Sequence, residues 1–259
     1  MSDDVIVQDD AGVRRITINR PERKNAMDVE VRQQFVRLID EANADPKVGA
    51  IVITGAGGQF CAGADVKRMV RSTDVDTAHK RAQSGQEIGY LMAKGSKPKI
   101  AAVNGAAVGL GLAIALACDY VVAGPNARFA AGFVKVGLCA DNGALFTLPQ
   151  RIGPARARTM MLLSETVSAE EAWRIGLIDK LASSEEAVLV AATEVATTLA
   201  AGPPLAIAAI RRAFNALPVS FSDALQREVE LHVPLLCSED HYEAAVAFAE
   251  KRRPVFKGI

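Results

Sequence analysis

The stretches AIVITGAGGQFCAGADV (50–66) and IAAVNGAAVGLGL (100–112) decide how this chain folds. Each opens on a short apolar run, Ala50–Thr54 and Ile100–Val103, of the kind that forms a strand buried on both faces. Each then passes into a segment of Gly and Ala, and Asn104-Gly105 turns the chain into a small-residue run that reads as an apolar helix. Working outward, Val13–Asn19 (VRRITIN) alternates as a strand does and is stopped by Arg20-Pro21. Tyr120–Ala123 reads as a further strand. Asp28 stands as an N-cap ahead of VEVRQQFVRLIDEAN (29–43), where Val31, Phe35, Leu38 and Ile39 mark one apolar face and Asp45-Pro46 closes the helix. A polar helical stretch covers Thr77–Lys94. Strand, turn and helix alternate, so the fold class is α/β with several crossovers. The units are irregularly spaced, so a repeat is no more than suggested.

After Pro154 the character changes. ARARTMMLL (155–163), SAEEAWRIG (168–176), SSEEAVLVAATEVATTLAAG (183–202) and PPLAIAAIRRAFNAL (203–217) have helical period and composition. FSDALQREVELHVPLLC (221–237) and SEDHYEAAVAFAEKRRP (238–254) follow in the same style, and Ser168 with Glu171 forms a capping box. The last ~100 residues therefore read as essentially all-α. No Gly-, Ser- or Pro-rich linker separates them from the rest, so they are expected to pack on the α/β part.

The chain has 259 residues, half of them hydrophobic, with 30 Lys plus Arg against 30 Asp plus Glu. Such a composition supports a large buried core, and the zero net charge argues against a nucleic-acid surface. The acidic N-terminus lacks a signal-peptide core, and no apolar run has the length of a membrane span, so a cytoplasmic protein without a membrane partner is expected. Cys61, Cys118, Cys139 and Cys237 lie far apart with no CxxC, which favours free, buried or semi-buried thiols over zinc or disulfides.

The two Gly/Ala segments also carry the chemistry. Both deliver backbone N–H groups at the end of a strand, where ligands of open α/β folds bind. Small side chains at Ala62, Gly63, Gly109 and Gly111 would let a ligand carbonyl approach the main chain. Such donors stabilise an oxyanion, at about 3 kcal/mol for each one. Taken alone, an isolated glycine segment more often serves only turns and close helix packing. Neither segment fits a dinucleotide or Walker pattern.

NRPERKNAMD (19–28), FCAGADV (60–66), AVNGAAVGLGL (102–112) and ACDYVVA (117–123) resemble, in order and spacing, the signature blocks of the enoyl-CoA hydratase/isomerase (crotonase) family. WRIGLIDKL (173–181) and FAEKRRPVFKG (248–258) extend the resemblance almost to the C-terminus. It implies a crotonase-like spiral of ββα units over residues 1–195 and a helical oligomerisation region over 196–259, in trimers that often pair into hexamers. It also implies an oxyanion hole made by the N–H groups of Ala64 and Leu110, and an acyl-CoA thioester as substrate, with no further cofactor and no metal. The CoA chain would pass Lys24, Ala26, Ala62, Gly63, Asp65, Val66 and Gly109. Phe248 and Lys251 match residues that line the CoA site of a neighbouring subunit, although an exposed helical Lys is often just solvated.

The two glutamates by which hydratases of this family activate water are missing: their positions are Ala113 and Phe133, which can neither orient water nor shuttle its proton. One carboxylate remains nearby, Asp141. It reads either as an N-cap or Asx-turn residue, or as a general acid/base whose pKa is raised by Leu138, Phe133 and Phe146. Phe133, Leu138, Leu145 and Phe146 are candidates for an apolar acyl pocket. An aspartate here is similar to that of dienoyl-CoA isomerases and, more closely, of phenylacetate-pathway enoyl-CoA isomerases. The 4-chlorobenzoyl-CoA dehalogenases also carry one, with a histidine and a tryptophan, but Phe133 occupies the tryptophan's position. The expectation is an enoyl-CoA isomerase, with a hydratase and a non-catalytic acyl-CoA-binding homologue as alternatives. His79, His232 and His241 lack a Ser or Cys partner at motif spacing and read as structural or surface residues.

Overall fold

The computed structural model describes residues 4–66, 74–216 and 220–259. In chain order the first strands are β1 (Val5–Asp10), β2 (Val13–Ile18), β3 (Ala50–Gly55), β4 (Lys99–Val103) and β5 (Ala106–Val108). They are followed by β6 (Tyr120–Ala123), β7 (Arg128–Ala130), β8 (Thr166–Ser168) and β9 (Lys180–Leu181). The helices of the first half are α1 (Val29–Ala44), α2 (Val75–Gly85), α3 (Glu87–Lys94) and α4 (Leu110–Leu116). Next come α5 (Ala144–Ile152), α6 (Pro154–Leu163), α7 (Ala169–Arg174) and α8 (Glu185–Ala200). The chain closes with α9 (Pro204–Phe214), α10 (Phe221–Leu236) and α11 (Glu239–Glu250).

The larger sheet has the order β1-β2-β3-β4-β6-β9, antiparallel only at the β1–β2 hairpin. Its central strands are apolar on both faces because both are covered. Ile51, Ile53, Ala101 and Val103 point into one core with Phe35 and Phe60, whereas Ala50, Val52, Ile100 and Ala102 point into a second core against α8. Ala191, Ala192 and Ala196 let α8 lie close to that second face.

A smaller sheet, β5-β7-β8, lies beyond the first core and is lengthened by two isolated parallel bridges, Met27↔Ala64 and Cys61↔Ala107. The repeat is thereby visible. A strand of the large sheet (β2, β3, β4, β6) is followed by a short extended piece in the small one (Met27, Cys61–Ala64, β5, β7) and then by helix. Its spacing is irregular because the helical insertions differ, from the 16 residues of α1 to the seven of α4.

Asp28 caps α1 by accepting from the Val31 N–H at 3.1 Å, and Val31, Phe35 and Ile39 are buried as expected. Ser168 Oγ accepts from the Glu171 N–H at 3.3 Å, but the Glu171 carboxylate binds Arg174 instead of closing the capping box. Three expectations need correction. The run after Asn104-Gly105 first makes the three-residue strand β5, because its groups pair with Cys61 and β7. The last third is not all-α, since β8 and β9 complete the two sheets. β1 falls in what reads merely as an acidic N-terminal segment. The boundary at 195/196 falls inside α8, and Leu217 of the 203–217 segment lies outside the described residues. Among the described residues, no single helix is long and apolar enough to cross a membrane. Cys61 and Cys118 are buried, and Cys139 and Cys237 exposed.

The C-terminal helices are tied to the sheet by charge. Asp119 accepts from the Lys99 N–H at 2.7 Å and from Arg211 Nε on α9, and Arg211 also donates to the Met92 carbonyl at 3.1 Å. Lys99 has no solvent exposure, and burial, reinforced by the Arg211 charge, pushes its ammonium down to about 7 against the pull of Asp119. Between pH 7 and 10.5 the unfolded chain therefore keeps a proton on Lys99 that the folded chain has lost, so rising pH favours folding in that window. Urea unfolding of the parent and Lys99→Met should show the variant's stability relative to the parent falling by about 1 kcal/mol per pH unit from pH 7.5 to 9.5. A difference independent of pH would contradict a neutral buried Lys99.

Candidate active site

The block from Arg20 to Asp28 builds a bracket before any pocket exists. Asn25 is fully buried with φ 58°; its Oδ1 accepts from the Arg20 N–H at 2.9 Å, and its Nδ2 donates to the carbonyls of Ala56 and Gln59. Arg20 is buried against Asp28 in a 3.0 Å ion pair and also donates to the Ala26 carbonyl. These contacts hold the 24–27 segment beside 61–65, and the two run as parallel strands for a few residues.

In a parallel ladder one partner spends its own N–H and C=O while the opposite residue directs its groups to the other side. Here Met27 spends both, donating to the Gly63 carbonyl at 2.9 Å and accepting from the Asp65 N–H at 3.0 Å. Ala62 N–H goes to the Lys24 carbonyl, Cys61 N–H to the Ala106 carbonyl, and Gly63 N–H to Cys61 Sγ at 3.4 Å. Ala64 N–H has no acceptor among the described residues. The same count on the other strand gives Val108 N–H to Cys61 and Gly109 N–H to Ala130, leaving Leu110 N–H, the first residue of α4, without an acceptor among the described residues.

Ala64 and Leu110, which carry the two spare amides, both line one cavity of about 140 Å³. Gly109 makes the corner with φ 53° and ψ −113°, and Gly63 has φ 105°. A Cβ on Gly63 would lie 2.9 Å from the Val108 carbonyl oxygen, closer than a side-chain carbon comes, so a side chain here would force the two segments apart. Two donors converging on one small cavity can bind a carbonyl oxygen and stabilise negative charge that develops on it. The Cys61 thiol behind them is buried, which pushes it up to about 12 and leaves it protonated and inert.

The facing wall comes from the loop after β7. Phe133 and Leu138 line the cavity, and Asp141 lines it with a side chain that has no hydrogen bond or ion pair among the described residues. Asp141 is not the cap of α5: that position is Gly143, with no side-chain cap. The apolar enclosure expected around Asp141 is absent in the single chain, where Asp141, Leu138 and Phe146 are all exposed. Leu145 and Phe146 turn to solvent instead of lining the cavity. Ala113 is buried in α4 and Phe133 half-buried, so neither position presents a carboxylate.

Of the other expected residues, Ala62, Val66 and Gly109 line the cavity, whereas Lys24, Ala26 and Asp65 do not, and Asp65 pairs with Arg23 at 3.0 Å. Phe248 (88% exposed) and Lys251 lie at the end of α11 and take no part in this wall. The three histidines are exposed on α2, α10 and α11, and the described residues hold no cluster of three or more potential metal ligands. Arg32 and Asn142 also line the cavity and were not anticipated. Arg32 follows the apolar Val31 on α1, and only the fold of 24–28 over 61–65 brings it to the site.

Residues 8–259 match the family profile described as Enoyl-CoA hydratase/isomerase. The chain is 35% identical over 258 residues to a probable enoyl-CoA hydratase of Mycobacterium tuberculosis, covering 97% of each protein. It is 34% identical over 256 residues to the 1,2-epoxyphenylacetyl-CoA isomerase of Escherichia coli, covering 95% of each. The crystal structure of an enoyl-CoA hydratase/isomerase from Cupriavidus metallidurans superposes with a TM-score of 0.91 at 30% identity, covering 99% of this chain and 97% of that one.

Gly63→Ala should cost about 1–3 kcal/mol in denaturant unfolding, from the positive φ and the clash with Val108. Unchanged stability would mean that the corner is not held as described.

Proposed function

The chain belongs to the enoyl-CoA hydratase/isomerase family, and from that premise we propose that it is an enoyl-CoA isomerase that shifts a double bond through a dienolate. The observation that carries this reading is the unpartnered Asp141 carboxylate in the cavity that Ala64 and Leu110 also line. A 3-enoyl thioester binds with its carbonyl oxygen on the two N–H groups. Asp141 takes one proton from the α-carbon, the C–H electron pair moves into the conjugated system, and the negative charge settles on the thioester oxygen. The same carboxyl group, now protonated, returns a proton to the γ-carbon to give the 2-enoyl product. One carboxylate on one face suffices if water is kept out of the intermediate. Substrate, together with a neighbouring copy of the chain, supplies the cover that Asp141 lacks in the single chain.

The hydratase reading has its own support in the hydratase names among the relatives. Ala113 and Phe133 weigh against it, because hydration needs a water held and deprotonated at the β-carbon.

Self-association is part of the proposal. On α10, Phe221, Leu225, Val229, Val233 and Leu236 are all exposed at helical spacing, an apolar stripe that a homotrimer or hexamer would cover. It would also bring Phe248 and Lys251 to the CoA site of a neighbouring copy, with Lys24, Ala26 and Asp65 along the CoA path.

Asp141→Asn should lower 3-enoyl-CoA isomerisation by about 1000-fold or more while acyl-CoA still binds. Isomerisation at the parent rate would remove Asp141 from the mechanism, and fast hydration of 2-enoyl-CoA by the parent would favour the hydratase. Val229→Glu should shift the mass seen by light scattering from a trimer or larger toward a monomer; an unchanged mass would show that α10 is not the interface.

A further inference from the structure

Arg32 and Asn142 are the two polar groups of the cavity that the double-bond shift leaves unused. Most arginines whose surroundings are described carry a carboxylate partner; Arg14, Arg20, Arg151 and Arg211 are examples. Arg32 has none. Its one hydrogen bond is a 3.4 Å contact from Nε to the Asp28 carbonyl within its own helix, which leaves both terminal nitrogens of the fork without an acceptor among the described residues. It shares the cavity with Asp141, yet the two form no ion pair. The side chain is half-buried, and its helix is rigidly seated through the Asp28 cap and the buried Val31, Phe35 and Ile39. Asn142 is 3% exposed, and its Oδ1 is buried without a partner.

The Asn142 carboxamide is buried with its oxygen unpartnered, which is costly, while the half-buried Arg32 fork is reached by water and stays open to an anionic ligand. A guanidinium fork matches a carboxylate in two parallel hydrogen bonds, and a carboxamide rotated about its last bond can present its NH₂ to the same group. At about 140 Å³ the cavity is small beside the roughly 300–1,000 Å³ of sites for drug-sized ligands, which favours a short acyl chain.

We propose that Arg32, assisted by Asn142, selects short acyl-CoA thioesters whose acyl group ends in a carboxylate. This rests on the reading of the cavity as the acyl site. The guanidinium balances the charge of the acyl tail, so that a second anion can enter a cavity that already holds Asp141.

Calorimetric titration with glutaryl-CoA, valeryl-CoA and coenzyme A tests it, since the first two have the same chain length and differ in the terminal group. The parent should bind glutaryl-CoA about 30-fold more tightly than valeryl-CoA. Arg32→Met should bring that ratio to within about 3-fold, and Arg32→Lys should retain part of it, because a point charge replaces the fork. Equal affinities in the parent, or a ratio that survives Arg32→Met, would overturn the assignment. So would a loss of affinity for coenzyme A as large as that for glutaryl-CoA, which would place Arg32 on the CoA phosphates. None of these ligands has a double bond to move, so the ratio does not depend on whether the protein isomerises. A parent that discriminates among them but isomerises no 3-enoyl-CoA would sink the isomerase reading alone.

Discussion

Everything at the site depends on the segment 61–65 being bridged on two sides. Met27 takes one side of it and Ala107 the other, and the alternation of a parallel ladder leaves a single amide, that of Ala64, without an acceptor among the described residues. No side chain could be substituted for that donor: it is a remainder of pairing, fixed by backbone geometry. Leu110 supplies the second amide by a different route, as the first residue of a helix whose opening N–H groups have no intrahelical partner. Donors of this kind need not reorganise when charge appears before them, which is why they are worth more in a small, mostly apolar cavity than in water.

The supporting contacts are correspondingly buried and polar. Asn25 ties the 20–28 loop to both ends of the loop after β3, and the Arg20–Asp28 pair sits within the same bracket while Asp28 also caps α1. One short block of sequence thus positions the amide ladder and the helix bearing Arg32. Removing one partner from such a network costs more than the bond itself, because the remaining group stays buried and unpaired.

Much of this was legible before any coordinates. Apolar strand runs, the Asp28 cap and the two Gly/Ala segments stand out because local chemistry determines them, and the family blocks that point to Ala64 and Leu110 lie in those segments. Less legible were features made by distant pairing. Ala106–Val108 reads as the start of a helix and becomes a strand because Cys61 and Phe129 flank it. The short β8 and β9 are likewise strands only by virtue of their neighbours. Arg32 could not have been picked out, since a charged residue beside an apolar helix face is usually a solvated one. For Asp141 the residue was found but its setting was not: apolar neighbours in sequence imply burial, whereas here Leu138 and Phe146 face solvent.

The central claim is that two backbone amides and Asp141 together enolise an acyl thioester. Exchange of the α-hydrogens of butyryl-CoA in deuterated water, followed by proton NMR, tests this without a double bond to move or a water to add. The account predicts that the parent protein exchanges an α-hydrogen and that Asp141→Asn, which still binds the thioester, exchanges it at no more than the uncatalysed rate. Exchange by that variant at the parent rate, or none by a parent that binds butyryl-CoA, would contradict it.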